Sequence, residues 1–283
     1  MSESEKRMPI GGHLEELRLR LIVCIAGVFL ATIIAYIYSP SVFYPMLRAP
    51  LDAVQGRDAD NPFVLRTPLL DLLARQRAAI TDDPQAEAEP IHLHYQSLIV
   101  PFVVRLKVAL VIGILIALPL IVYQFWAFVS AGLYPSERRY VYRYGPGSFL
   151  LFIAGALFAY FVVLPLGVVF LLRQGDLFDL QAIITIDRYA PFVMWLILGF
   201  GLIFQMPLVA VFLTKIGVLG PAELGRWRKV AVVAAFVLAA VLTPPDPFTQ
   251  IAMALAMVGL YEFSILLARL AARGRHEAEK AAE

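Results

Sequence analysis

The feature that most limits what this chain can fold into is a series of long apolar runs. A bilayer core of about 30 Å asks for roughly 20 consecutive apolar residues in a helix. Six segments qualify or nearly so: 21 to 39, 106 to 129, 148 to 172, 189 to 213, 229 to 243 and 248 to 268. With no water to satisfy a backbone inside lipid, each is expected to be a helix. The expected fold is therefore an all-α polytopic membrane protein of six transmembrane helices in a single domain spanning residues 1–283. The composition agrees: 60% of residues are hydrophobic, only 16% are charged, and the mean hydropathy is +0.75. The run at 21 to 39 is too long for a signal-peptide core and no small-residue cleavage site follows it, so it is read as a retained span. A net charge of +2, with no basic tract interleaved with aromatics, gives a nucleic acid nothing to bind. The single cysteine, Cys24, has no intrachain partner for a disulfide.

Six spans place both termini on one side, and the basic residues choose which. Lys6, Arg7, Arg18 and Arg20 precede the first span. Arg138, Arg139 and Arg143 lie in the 130–147 loop, and Lys215, Arg226, Arg228 and Lys229 in the 214–229 loop. Arg269, Arg273, Arg275 and Lys280 belong to the 269–283 tail. The intervening loops hold only Arg173 and Arg188 in one case and none in the other, at 244 to 247. By the positive-inside rule both termini are expected in the cytoplasm. The 40–105 loop, long enough to translocate whatever its charge, becomes the extracytoplasmic cap. Within it, Thr67 and Pro68 followed by LLDLLARQRAAI read as an N-cap, a first-turn proline and an amphipathic helix. The acidic, proline-bounded DDPQAEAEP reads as a link with nothing to bury.

Two properties of the spans bear on mechanics. The fifth has 15 residues before LTPPDP stops it, about 22 Å of helix, so it is shorter than the bilayer core and is expected to thin the membrane around it. Pro119, Pro165 and Pro207 each fall inside a span, where a missing donor bends the helix. A kinked, cupped body follows.

Side chains that could do chemistry are few. His13, His92, His94 and His276 all lie outside the spans, and no metalloprotease, serine-hydrolase or dithiol motif occurs. His92 and His94 alone supply too few ligands for a metal, so neither an enzyme nor a metal or cofactor site is expected. What remains are Glu15, Glu16, Glu137, Gln205 and Glu262. Polar groups within lipid are costly and turn toward a groove or a partner. Gln205 is open to two readings, an interhelical hydrogen bond or a groove position. Glu262 either neutralises Arg269 or Arg273 or lines that groove. In HLEELRLRL, residues 13 to 21, Glu16 and Arg20 are spaced to pair at i, i+4. A second acidic and basic cluster, YPSERRY at 134 to 140, falls on the same side, so two separate carboxylates stand at one membrane face, ready for two guanidiniums.

These blocks carry a resemblance. HLEELRLRL, APL at 49 to 51, VYQFWAFVSAGLYPSERR at 122 to 139, FAYFVVLPL at 158 to 166, LTPPDPFTQ at 242 to 250 and LYE at 260 to 262 resemble, in the same order, the TatC family. TatC is the integral-membrane receptor subunit of the twin-arginine protein translocase. The resemblance implies a receptor in the cytoplasmic (inner) membrane. It would bind twin-arginine signal peptides of folded cargo, scaffold single-span partners of the TatA and TatB type, and associate with copies of itself. It implies signal-peptide contacts at Glu16, Glu137, Arg18, Phe128, Tyr134 and Arg138, and a partner groove at Gln205, Glu262, Thr243 and Asp246. A carboxylate accepts the planar fork of arginine bidentately, which an ammonium cannot match. The chain departs from the family pattern in three places. Ser130 or Ala131 stands where a proline is common, Gln205 replaces an acid of the fourth span, and only Asp176 or Asp179 is near the position of an outer glutamate of the third. The 52–97 loop is also longer than the family's. The rival reading is a secondary transporter or channel, which calls for symmetry-related repeats and ionisable groups at mid-bilayer. The halves show no repeat.

Overall fold

In the computed structural model, residues 10–55, 93–135, 137–176, 183–242 and 247–280 are described. They form α1 (Ile10–Gln55), α2 (Val100–Ala131), α3 (Arg138–Phe158), a π turn (Ala159–Val163) and α4 (Leu164–Asp176). There follow α5 (Ile186–Ile203), α6 (Met206–Lys215), α7 (Pro221–Arg226), α8 (Arg228–Leu242) and α9 (Pro247–Lys280). Five stretches are long and apolar enough to cross a membrane: Leu14–Ser39, Val100–Ala131, Arg138–Leu172, Ile186–Lys215 and Met253–Ala272. The 15-residue α8 completes the six expected helical segments.

The helices run past the apolar windows because a helix satisfies its own backbone in water as well as in lipid. The largest difference is in α1, whose 46 residues amount to about 69 Å of helix. The first part of the expected 40–105 loop is therefore a continuation of α1 to Gln55, and its last residues already belong to α2. The helix expected after Thr67, and DDPQAEAEP, lie outside the described residues.

Proline marks two of the irregularities. Pro165 cannot donate to the carbonyl four residues back, and the helix widens into the π turn just before it. Pro207 follows a break at Phe204 and Gln205 that divides the fourth span into α5 and α6. Pro119, by contrast, sits inside the continuous α2. The sequence offered no sign of a further link, in which β1 (Leu93–His94) pairs in parallel with β2 (Ile184–Thr185). This ties the segments that lead into α2 and α5.

Packing relies on small residues, as expected where lipid tails are as apolar as the side chains they compete with. Ala109, Ala159, Ala190, Ala239, Ala254 and Ala268 are fully buried. The main core gathers Leu47 and Leu51 of α1, Val104 and Val108 of α2, Tyr160 of the π turn, Leu164 of α4, Leu196 and Phe200 of α5, and Met253 and Met257 of α9. A smaller cluster of Trp126, Val141 and Phe212 holds α2, α3 and α6 together at the other end.

The first two helices lie antiparallel in a steady register. Arg20 meets Gln124, Gly27 meets Leu120, Thr32 meets Gly113, and Ser39 meets Arg105, so contacts step down one helix as they step up the other. At the far end Arg105 donates to the Ser39 hydroxyl at 2.7 Å and the Tyr36 carbonyl at 2.9 Å, and its guanidinium lies 4.3 Å from the centre of the Tyr36 ring. The opposite face of α1 exposes Ile25, Phe29, Leu30, Ile33 and Ile37.

Candidate functional site

The α1–α2 register decides where the first carboxylate sits. Arg20 reaches across to α2, where its Nη1 donates to Gln124 Oε1 at 3.1 Å. Four residues earlier on α1, Glu16 therefore lies level with Phe128, near the end of α2. The same arginine donates Nε to Glu16 Oε1 at 3.0 Å, and Nη2 donates to that oxygen as well. The i, i+4 pairing read from the sequence is thus present, with a third member, Gln124, on the neighbouring helix. The second oxygen, Glu16 Oε2, is buried and has no hydrogen-bond partner among the described residues. Glu15 and Arg18 are exposed on the remaining faces of α1.

The second carboxylate is placed by the turn that leaves α2. Trp126 is buried there, edge-on to Phe212 at 4.9 Å and to Phe125 at 5.7 Å. It packs against Gly145 of α3, so the chain between Ala131 and Arg138 spans two helices already locked together. Within the turn the Tyr134 carbonyl accepts from the amides of Glu137 at 2.9 Å and Arg138 at 3.2 Å. The Tyr134 amide in return donates to Glu137 Oε2 at 3.2 Å. One contact of this kind leaves most of a carboxylate's acceptor capacity open. Tyr134 and Arg138 are exposed and Phe128 is half-buried. Arg139 is turned onto Tyr140, 5.0 Å from its ring centre.

Glu16, Arg18, Phe128, Tyr134, Glu137 and Arg138 therefore lie at one end of the helix bundle. They include two carboxylates on separate supports, with Phe128 and Tyr134 between them in sequence, and a carboxylate can accept a planar guanidinium through parallel N–H donors.

The proposed groove residues are differently placed. The Ser148 hydroxyl donates to Gln205 Oε1 at 2.6 Å, and Gln205 Nε2 donates to the Ser148 carbonyl at 2.9 Å. This is the interhelical hydrogen bond that was one of the two readings, and it lies at the break between α5 and α6. Glu262 accepts from Arg228 at 2.7 Å, with both side chains nearly half exposed. The cation beside Glu262 comes from the start of α8, 34 residues away in sequence, a partner that neither reading of Glu262 named, and the side chain of Arg273 lies outside the described residues. Beside this pair the Tyr261 hydroxyl donates to the Leu224 carbonyl at 2.7 Å, joining α9 to α7. No hydrogen bond links Gln205 to Glu262 among the described residues. Thr243, Asp246 and Asp179 lie outside the described residues, as do His92 and the side chain of Asp176.

Several polar partners were not read from sequence. Gln124, Ser148, Arg105 and Arg228 make the contacts above, yet each looks like an ordinary polar residue at or near a span. The one available signal was that a buried polar side chain in lipid needs a partner. Which partner is a property of helix packing.

Residues 12–255 match the family model described as Sec-independent protein translocase protein (TatC). The chain is 38% identical over 275 residues to the Sec-independent protein translocase protein TatC of Aquifex aeolicus, covering 97% of this chain and all of that protein. It is 39% identical over 187 residues to TatCy of Bacillus subtilis, covering 66% of this chain and 74% of the relative. A crystal structure of a twin-arginine translocase receptor, TatC, superposes with a TM-score of 0.69 at 36% identity, covering 92% of this chain and 99% of that one. A second crystal structure of such a receptor gives 0.72 at 35% identity, covering 90% and 99%. The match is to a multi-pass translocase component of bacteria, and neither an enzyme nor a transporter of small solutes is favoured by it. This chain belongs to the TatC family of Sec-independent protein translocases.

Proposed function

We propose that this chain is the receptor that binds twin-arginine signal peptides of folded cargo, with Glu16 and Glu137 as the acceptors of the two guanidiniums. The observation that carries this reading is that both carboxylates, one on α1 and one in the turn between α2 and α3, belong to the same end of the bundle as Phe128, Tyr134, Arg18 and Arg138. The printed description of the structural relatives as twin-arginine translocase receptors supports it. Arginine offers parallel N–H donors to a carboxylate, whereas lysine offers a strongly hydrated point charge, so two such acceptors favour Arg-Arg over Lys-Lys.

The receptor sits in the cytoplasmic membrane with both termini in the cytoplasm, an orientation supported by the basic residues of the 130–147 and 214–229 loops and the tail. The 40–105 region then caps the outer side. Single-span partners of the TatA and TatB type dock at a groove marked by Gln205, Glu262, Thr243 and Asp246, next to the apolar faces that α8 and α9 leave exposed. The short α8 thins the bilayer there.

The test is a pull-down of the full-length chain with a twin-arginine and a twin-lysine signal peptide. The wild type should retain the first and release the second. Glu137→Lys should abolish retention while the protein still inserts, since it adds charge to the side that already carries it. Equal retention of both peptides by the wild type would overturn the reading.

A further inference from the structure

The carboxylate assigned to cargo is already in use. Glu16 Oε1 takes two donors from Arg20, Nε at 3.0 Å and Nη2. Its other oxygen, Oε2, is out of contact with solvent and accepts no hydrogen bond from the described residues. Neither side chain is more than about a quarter exposed, at 26% for Arg20 and 21% for Glu16. Among the described residues, then, one oxygen of Glu16 is covered by a guanidinium and the other is enclosed. Arg20 itself is held at a second point, by Gln124 Oε1 at 3.1 Å on α2.

We infer that Arg20 is a resident guanidinium that occupies Glu16 until cargo displaces it toward Gln124, and that this exchange sets how strictly the site demands arginine. The inference rests on the receptor reading above and adds a residue that determines its specificity.

Cations compete for Glu16. A vacant carboxylate at a membrane surface attracts any cation, lysine included. A carboxylate that already holds a guanidinium through two N–H groups releases it only to a ligand that restores what is lost. A second guanidinium has the same fork and the same weak hydration, so the exchange is close to even and the remaining contacts of the signal peptide drive it. A lysine ammonium is more strongly hydrated and cannot reproduce the paired geometry, so its exchange is uphill. The displaced Arg20 is not left unpaired, because Gln124 keeps its hold on Nη1 and the side chain moves by rotation about its own bonds. Gln124 also explains why the switch is local: it sits on the helix that runs antiparallel to α1 in fixed register, so no backbone displacement is required.

Two substitutions move binding in opposite directions. Arg20→Gln vacates Glu16, so affinity for a twin-arginine peptide should rise, by roughly threefold or more for a pair of this exposure. Affinity for a twin-lysine peptide should rise further, which contracts the Arg-Arg to Lys-Lys ratio. Gln124→Leu removes the place to which Arg20 retreats, and twin-arginine affinity should fall by a similar factor, about threefold. Arg20→Lys keeps the charge without the fork and should fall between wild type and Arg20→Gln in the ratio. The measurement is fluorescence anisotropy of synthetic labelled peptides with the purified full-length chain in nanodiscs, with thermal unfolding of each variant recorded alongside.

If Arg20 and Gln124 only brace α1 against α2, both changes lower affinity together, and the inference is wrong. It is also wrong if Arg20→Gln leaves the ratio at its wild-type value. Those outcomes leave the receptor reading standing, because the wild type still prefers arginine. A wild type with no preference removes both.

Discussion

At Gly113 there is no room for a methyl group. A Cβ there would lie 2.7 Å from the backbone nitrogen of Thr32 and 2.8 Å from its Cα, and neither can move without moving α1. Gly259 of α9 is the converse, since a Cβ there meets nothing within 4 Å. Gly113→Ala should therefore lower stability by about 1–3 kcal/mol through overpacking. Gly259→Ala should be neutral or stabilising by up to about 1 kcal/mol, the helix preference of alanine over glycine. Thermal unfolding of both variants in one detergent checks this. Because Gly113 sets the register that also places Arg20 on Gln124, Gly113→Ala should in addition weaken peptide binding, whereas Gly259→Ala should not. Equal melting temperatures for the two variants would count against the close approach. The amide of Gln205 is a second residue whose cost can be stated. It serves Ser148 both as acceptor and as donor, which an ionised acid in its place could not do. Gln205→Leu should cost only about 1.2 kcal/mol, about 0.6 for each of two hydrogen bonds between helices in a membrane. A loss several times larger would mean that Gln205 supports more than these two bonds.

At the scale of elements, α8 is the exceptional one. Its 15 residues span about 22 Å, against a hydrocarbon core of about 30 Å. Inserting four leucines after Val237 brings it to about 28 Å and should relieve the proposed thinning. Export of a folded reporter should then fall while twin-arginine peptide binding persists, because the proposed binding end belongs to α1, α2 and α3. Undiminished export in the lengthened protein would argue against a role for the mismatch. Elements of this kind were legible in the sequence for a physical reason: a bilayer imposes length and apolarity together, so all six segments proved helical, five of them long and apolar enough to cross a membrane, and the short fifth was recognised with its limits of 229 and 243 against Arg228–Leu242. The ends of α1 and α2 were not, since hydropathy stops reporting where the bilayer stops and the helix does not. Proline marked Pro165 and Pro207 as places where a helix bends, but not that the first lies behind a π turn and the second behind a break, nor that α2 continues through Pro119. At the candidate site, spacing alone showed the Glu16–Arg20 pair, because i, i+4 neighbours meet on any helix. It could not show Glu262 with Arg228, or Arg20 with Gln124, because those contacts exist only once helices distant in sequence are packed.

For the whole molecule, the question is whether two carboxylates from different parts of the chain act as one acceptor. Glu16 is positioned by the α1–α2 register, and Glu137 by the turn that Trp126, Val141 and Phe212 fix between α2 and α3. Their supports are separate, so each can be altered without disturbing the other, which makes a double-mutant cycle informative. Each single replacement, Glu16→Gln or Glu137→Gln, removes a charge-assisted contact with an arginine of the peptide, worth about 1.5–3 kcal/mol. If one Arg-Arg pair bridges both residues, losing either partner also loosens the geometry at the other. The double replacement should then cost less than the two single losses added together. Screening should weaken the wild-type complex as salt rises, because the site opens at a membrane face rather than in a sealed cavity, and it should leave the doubly replaced protein much less salt-sensitive. The cycle is measured as peptide affinity at low and high salt, with Arg-Arg and Lys-Lys peptides in parallel. Additive losses, or equal losses for the two peptides, would show that Glu16 and Glu137 do not form one guanidinium site. In that case Glu16 is the helix partner of Arg20 and nothing more, and the cargo contact must be sought at Glu137 alone.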